Sequence, residues 1–244
     1  TDIVAVSDTG TVTFSKAAST PNDPSIGAMN AVDRLADELG INSETLLSKT
    51  ESIVHGTTVA TNALLERKGA KTGLLTTLGH RDVLEMREGL KDDRYNMRLP
   101  APAPLVPRFL RLGVRERIKP DGSIHTKLDD TSLDEAINKL REEKVTSVAV
   151  CYLHAYKEPK HEQETKQILE AKLPGVSVSI SSEVFPEIKE YERVSTTIVN
   201  AYVRPIVENY LNRLEERLKN AGYKGSVLII LSHGGVAPIE EAIR

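Results

Sequence analysis

The chain holds 244 residues with 39% hydrophobic content, enough for one large core or two smaller ones. Its formal net charge is −3, and its 32 basic residues are dispersed among 35 acidic ones, which leaves no electrostatic footprint for nucleic acid or an anionic membrane. No apolar run is long enough to span a bilayer, no signal-peptide pattern opens the sequence, and one cysteine excludes an internal disulfide framework; a cytoplasmic, reducing setting fits.

Residues 2–6 and 11–17 alternate around Ser7-Asp8-Thr9-Gly10, which predicts a hairpin. Beyond Pro21 and Pro24, Ala28, Val32, Leu35, Ala36 and Leu39 share one helical face, closed by Gly40. Ile53-Val54 read as a short strand running into His55-Gly56, with a helix starting at Thr57-Thr58. Gly56 lets a ligand approach the backbone, and the helix start offers N–H groups to an anion. On a helical wheel Thr58, Thr61 and Asn62 fall on one face, and Val59, Ala60, Ala63 and Leu64 on the other. The same pattern suits a capped helix with a solvated face.

A strand is expected over 72–76. Residues 86–107 carry Pro100, Pro102, Pro104 and Pro107 with little periodicity, and a loop of that length is usually functional or partner-binding. A ribbon over 108–119 and 123–128 turns at Pro120-Asp121-Gly122, with Arg108 to Arg117 alternating like a half-exposed strand. Ser132-x-x-Glu135 reads as a capping box opening a helix that buries Leu133, Ala136, Ile137 and Leu140. Strand 147–153, a charged helix after Pro159 and strand 176–180 give a β-α-β alternation typical of α/β proteins. Helix 189–203 is expected next, then helix 205–221 with Pro205 in its first turn, then strand 226–231.

Along helix 189–203, Tyr191, Val194, Ile198 and Tyr202 form an apolar face, while Arg193, Thr196, Thr197 and Asn200 recur at i, i+3, i+4 and i+7. That polar face can line a cleft in which Arg193 grips a phosphate or carboxylate, or it can pack against another helix with its hydroxyls satisfied. Glu190 and Glu192 either fix Arg193 or act in their own right. His55 and His154 end strands, where α/β proteins place ligand-contacting residues; His80, His125 and His161 lie in polar segments and read as solvated. Cys151, in an apolar run, reads as a buried, inert thiol. Gly234-Gly235 can cradle a phosphate or simply turn the chain. No histidine or cysteine pair has zinc-ligand spacing, and neither a dinucleotide fingerprint, a P-loop nor a nucleophile elbow is present.

The string HGTTVATNALLERKGAKTGLLTT resembles the hydantoinase A / 5-oxoprolinase family, whose relatives include acetone and acetophenone carboxylases. So do Arg87-Glu88-Gly89-Leu90…Asp93-Arg94-Tyr95 with Leu105-Val106-Pro107-Arg108, the run from Glu187 to Thr197, and Asn200-Ala201-Tyr202-Val203. The resemblance implies an α/β fold, an incomplete actin-like ATPase (ribonuclease H-like) lobe with a mixed β-sheet flanked by helices. It implies an N-terminal hydantoinase/oxoprolinase domain over 1–180 and the beginning of a core domain over 181–244. Of a family phosphate loop only Thr1 and Asp2 are present, so the chain is expected to be part of a larger polypeptide.

The implied activity is ATP-dependent hydrolysis of a cyclic amide (hydantoin, 5-oxoproline or lactam) through phosphorylation of the amide oxygen. Alternatives are a subunit of an ATP-dependent ketone carboxylase and a non-catalytic scaffold with an ATPase-like fold. The implied cofactors are ATP and Mg²⁺, with Asp2 at the metal and Thr1, Gly56, Thr57, Thr58, Gly234 and Gly235 near the phosphates. Thr61, Asn62, Thr197 and Asn200 would bind nucleotide or substrate, and His55, Glu190 and Arg193 would act on the substrate. The implied partners are the small molecule itself and a hydantoinase B-like subunit in an oligomer, with neither nucleic acid nor membrane.

Overall fold

A computed structural model describes residues 1–89, 93 and 95–243, and shows an α/β protein of two compact units. Unit one comprises Thr1–Ala60 and Ile206–Arg244; unit two comprises Thr61–Pro205. Leu90 and Arg94 of the expected family motif lie outside the described residues.

Unit one contains the expected hairpin, Asp2–Val6 antiparallel to Val12–Lys16, and a second sheet in which Ile53–His55 runs parallel to Val227–Ile230. Val227–Ile230 also pairs antiparallel with Val236–Pro238. Helix Pro24–Glu38 begins with Pro at its first position, where no N–H is needed, and the Asp23 carboxylate accepts from Ser25 N–H at 3.1 Å. Leu39, expected on the buried face, is the C-cap instead and 41% exposed, because the helix ends before it. Helix Ser43–Lys49 has only 7 residues, too few for a periodic signal, and escaped the sequence reading; its Asn42 cap accepts from Thr45 N–H at 2.7 Å. The core gathers Val32, Leu47, Tyr210, Leu211, Leu214, Val227 and Ile229.

Unit two is built on an all-parallel sheet of four strands, in the order Arg111–Val114, Thr72–Thr77, Ser147–Cys151, Ser177–Ile180. Both central strands are buried at every residue, which is why they read as continuous apolar or small-residue runs rather than alternation. Helices Asp130–Glu142 and Lys160–Lys172 contribute Leu133, Ile137, Leu140 and Leu169 to the core.

The expected ribbon over 108–119 divides. Arg111–Val114 joins the parallel sheet, and only Arg117–Ile118 pairs with Ile124–Thr126. Arg111 is 1% exposed rather than half-exposed, its Nε donating to the Val106 carbonyl at 2.9 Å and its Nη2 reaching Glu85 at 3.3 Å. Helix Asp130–Glu142 starts two residues before the expected capping box, because the Asp129 carboxylate takes Ser132 N–H at 2.8 Å.

Residues Glu190–Asn220 form one helix with Pro205 inside it, where two helices were expected. Interior proline forfeits a hydrogen bond and costs about 3 kcal/mol. Here Val194, Ile198 and Ala201 before it, and Tyr210, Leu211 and Leu214 after it, are all buried, and their burial outweighs the break.

Candidate functional site

In unit one, Ile53–His55 and Val227–Ile230 are parallel, so the segments that follow them leave from the same carboxyl edge of the sheet. Ligands of α/β sheets gather at such edges. The first segment is Gly56-Thr57-Thr58, all exposed. Helix Val59–Leu65 begins just beyond it, and the Thr57 hydroxyl accepts from Val59 N–H at 3.3 Å. A Cβ on Gly56 would make only ordinary contact, 3.4 Å from Ile230 Cδ1, so packing within the chain does not demand glycine there. Thr61 and Asn62 are exposed while Ala63 is buried, as the wheel predicts.

The second segment is a tight turn: Leu231 N–H donates to Gly235 O at 2.8 Å and Gly234 N–H to Leu231 O at 2.9 Å. Gly234 has φ of 88°, a conformation that requires glycine, and Gly235 N–H donates to His233 Nδ1 at 3.2 Å. The turn accounts for Gly234, and a Cβ on Gly235 would lie 2.6 Å from His233 Cε1. His55 stands at the same edge, its Nε2 2.8 Å from the Tyr210 hydroxyl and the two ring centroids 5.7 Å apart. Burial lowers its pKa by disfavouring the imidazolium.

Thr1 and Asp2 open the hairpin. The Thr1 amino group donates to Ala17 O at 3.0 Å, and Asp2 pairs with Lys16 at 3.0 Å, a contact that holds its carboxyl below the usual range. Among the described residues no group of three or more His, Cys, Asp or Glu side chains could hold a metal ion.

In unit two the chain passes from Thr72–Thr77 to Arg111–Val114 on one side and later returns on the other with Ser147–Cys151. Such a reversal of direction, here between the ends of Thr72–Thr77 and Ser147–Cys151, is where ligands of α/β sheets gather. The segment after Ser147–Cys151 carries His154 in the left-handed region, with φ of 56°. Its ring meets that of Tyr156 edge-on at 5.9 Å, and the Arg193 guanidinium carbon lies 5.5 Å from the centroid of the Tyr156 ring. Burial lowers the His154 pKa; Glu190 opposes the shift, and the positive charges of Arg117 and Arg193 reinforce it. Arg193 is 1% exposed, and its Nε and Nη1 find no hydrogen-bond partner among the described residues.

The polar face expected on this helix is not an open cleft. Arg193 and Thr197 are buried, and the Thr197 hydroxyl donates to Arg193 O at 2.7 Å, so it is spent on its own helix. Asn200 accepts from the Ser179 hydroxyl at 2.7 Å, on strand Ser177–Ile180, and Thr196 alone faces solvent. Asn200 meets the sheet and Arg193 the Tyr156 ring, neither of which spacing along one helix can reveal.

Sequence reasoning missed a buried network beside these strand ends. His161, expected to be solvated, is 2% exposed, with Nδ1 2.8 Å from Glu116 Oε2. Glu116 also accepts from the Thr77 hydroxyl, and the fully buried Glu162 accepts from Tyr152 N–H at 2.9 Å. A signal existed: His161 and Thr165 lie at four-residue steps from the apolar Leu169, on the face that turns inward. Cys151 is buried as expected, and desolvation pushes its pKa up to about 12.

The sheets flanked by helices define an α/β protein. The family model for the hydantoinase/oxoprolinase N-terminal region matches residues 1–173, and the hydantoinase/oxoprolinase model matches residues 193–244. The chain belongs to the hydantoinase/oxoprolinase family. It is 40% identical over 240 residues to the caprolactamase subunit alpha of Pseudomonas jessenii, covering 98% of this chain and 34% of that protein. It is 35% identical to the acetophenone carboxylase gamma subunit of Aromatoleum aromaticum, covering 98% of this chain and 34% of that subunit. The crystal structure of the ATP-dependent caprolactamase from Pseudomonas jessenii superposes with a TM-score of 0.90 at 39% identity, over 98% of this chain and 35% of that one. The chain thus spans about a third of the length of these relatives.

Proposed function

We propose that this chain is part of an ATP-dependent hydrolase that opens a cyclic amide, a lactam in the first instance. The observation that carries the proposal is the likeness to a caprolactamase subunit across 98% of the chain. An amide carbonyl is a poor electrophile, and bound ATP would supply a phosphoryl group to its oxygen so that attack by water becomes easy.

Gly56, Thr57 and Thr58 fit a phosphate chain: they are exposed at a carboxyl edge, and a Gly56 side chain would meet only Ile230 Cδ1, at 3.4 Å, among the described residues. Backbone N–H groups and threonine hydroxyls would spread the phosphate charge there. Asp2 would offer one carboxylate oxygen to Mg²⁺ by giving up Lys16, and Mg²⁺ commonly takes one or two carboxylates with phosphate and water. His55, its imidazolium disfavoured by burial and its ring held by Tyr210, would keep a second positive charge away from the metal. Arg193, with two nitrogens unpartnered among the described residues, would take the negative charge that grows on the substrate, with His154, Tyr156 and Glu190 around it. Thr197 would fix the Arg193 turn rather than touch a ligand. Thr61 and Asn62, exposed on helix Val59–Leu65, would contact nucleotide or substrate.

The complete enzyme would act in an oligomer with a hydantoinase B-like subunit. The test is phosphate release from Mg·ATP by the full-length protein with that partner, screened against lactams, hydantoins, 5-oxoproline, acetone and acetophenone. Stimulation by a lactam is the expected result. Stimulation by a ketone only in the presence of bicarbonate would favour carboxylation instead, and no stimulation by any of them would favour a scaffold.

A further inference from the structure

We infer that His161, Glu162, Glu116 and Thr77 form a brace that positions the His154 turn for reaction, an inference that rests on the reading of that turn as part of the substrate site. Where strand Ser147–Cys151 ends, the next two residues, Tyr152 and Leu153, are buried at 1% and 5% exposure, and their N–H groups must find acceptors. Each finds one on a side chain. Tyr152 N–H donates to Glu162 Oε1 at 2.9 Å, and Leu153 N–H donates to the Thr77 hydroxyl at 2.9 Å.

The Thr77 bond has a fixed direction. Its hydroxyl donates to Glu116 Oε1, while His161 Nδ1 holds Oε2 at 2.8 Å. A carboxylate has no proton to give, so the single hydroxyl hydrogen of Thr77 points at Glu116 and a lone pair is left for Leu153. Glu162, from the adjacent position on the same helix, also accepts from the Ser181 hydroxyl at 2.6 Å and Ser182 N–H at 2.8 Å. Consecutive residues of helix Lys160–Lys172 thus control consecutive amides of the turn, one directly and one through Glu116 and Thr77. The residue reached next is His154, whose φ of 56° is unfavourable for a side-chain-bearing residue and persists only where its surroundings impose it. Burying two carboxylates and an imidazole is a poor route to stability, but a fully satisfied network selects one geometry.

The test compares Thr77→Val and Thr77→Ser with wild type in the full-length protein and its partner subunit. Valine keeps the shape and removes both ends of the relay; serine keeps the hydroxyl. Amide hydrogen exchange is read on the peptide spanning Tyr152 to Tyr156, alongside lactam-stimulated phosphate release. The inference expects exchange to quicken about tenfold in that peptide alone for Thr77→Val, the loss expected for one hydrogen bond, with Thr77→Ser like wild type. It also expects the KM for lactam to rise while the KM for ATP stays unchanged. Unchanged exchange in the peptide, or equal quickening throughout the protein, would overturn the brace. Local quickening with an unchanged lactam KM would show that the brace serves only architecture, and the positioning role would fail. If wild type shows no stimulation by lactam, the functional reading fails by itself, and the exchange result still decides the brace.

Discussion

Replacing Arg193 with methionine should stabilise the unliganded protein while abolishing its reaction. The side chain is 1% exposed, and two of its nitrogens lack partners among the described residues. Each buried, unpaired N–H costs about 1–3 kcal/mol. The stacking over Tyr156 at 5.5 Å returns about 1–2 kcal/mol, and methionine keeps the aliphatic stem in place. Two such groups against one stacking contact leave, at the middle of these ranges, a net gain of about 2–3 kcal/mol for Arg193→Met, which raises the melting temperature. Thermal melts of the full-length protein without ligand measure the first effect, and lactam-stimulated phosphate release measures the second. Arg193→Lys should not restore turnover, because a point charge does not reproduce a planar group with several donors. A variant that melts several degrees lower, or that loses stability and turnover in equal proportion, would mean that Arg193 is a structural ion rather than a ligand group.

Three further outcomes follow from the geometry. Cys151, buried with a pKa of about 12, should resist thiol reagents at pH 8 until the protein is unfolded, and rapid labelling of the native protein would show that the strand end is open. Gly69→Ala would place a Cβ 2.0 Å from the Tyr202 ring, an overpacking expected to cost about 1–3 kcal/mol or more; Tyr202→Leu in the same chain should recover part of the loss, and a melt unchanged by Gly69→Ala would refute that packing. His55 has its pKa lowered by burial from 6.5, so its contribution to stability is complete above that value and is lost as pH falls through the window below it. Melting temperatures between pH 7 and pH 5 should therefore decline less steeply for His55→Gln than for wild type, and equal slopes would show that His55 is not buried neutral.

Local patterns carried most of the fold into view. The hairpin, the buried stripe Leu133, Ala136, Ile137 and Leu140, and the inert Cys151 all follow from spacing within one element. Features that depend on distant chain did not. Arg111 was expected at a half-exposed position because its strand alternates, yet parallel pairing with Thr72–Thr77 covers it. Pro205 reads as a helix start, and only the buried residues on both sides of it explain an unbroken helix. The site residues divide in the same way. His154 and Arg193 draw notice in the sequence because one follows an apolar strand run and the other shares a helical face with Thr196, Thr197 and Asn200. The inward face of its helix hints that His161 is buried, but its partner Glu116 is 45 residues away in sequence, and the segment between them gives no hint of the pairing.

The central claim is that the amide oxygen of a ring substrate receives the phosphoryl group. A lactam labelled with ¹⁸O at its carbonyl, turned over by the full-length enzyme and its partner with Mg·ATP, tests it directly by mass spectrometry of the released phosphate. Phosphate carrying the heavy oxygen is the expected result. Unlabelled phosphate, with the heavy oxygen retained in the ring-opened amino acid, would contradict it.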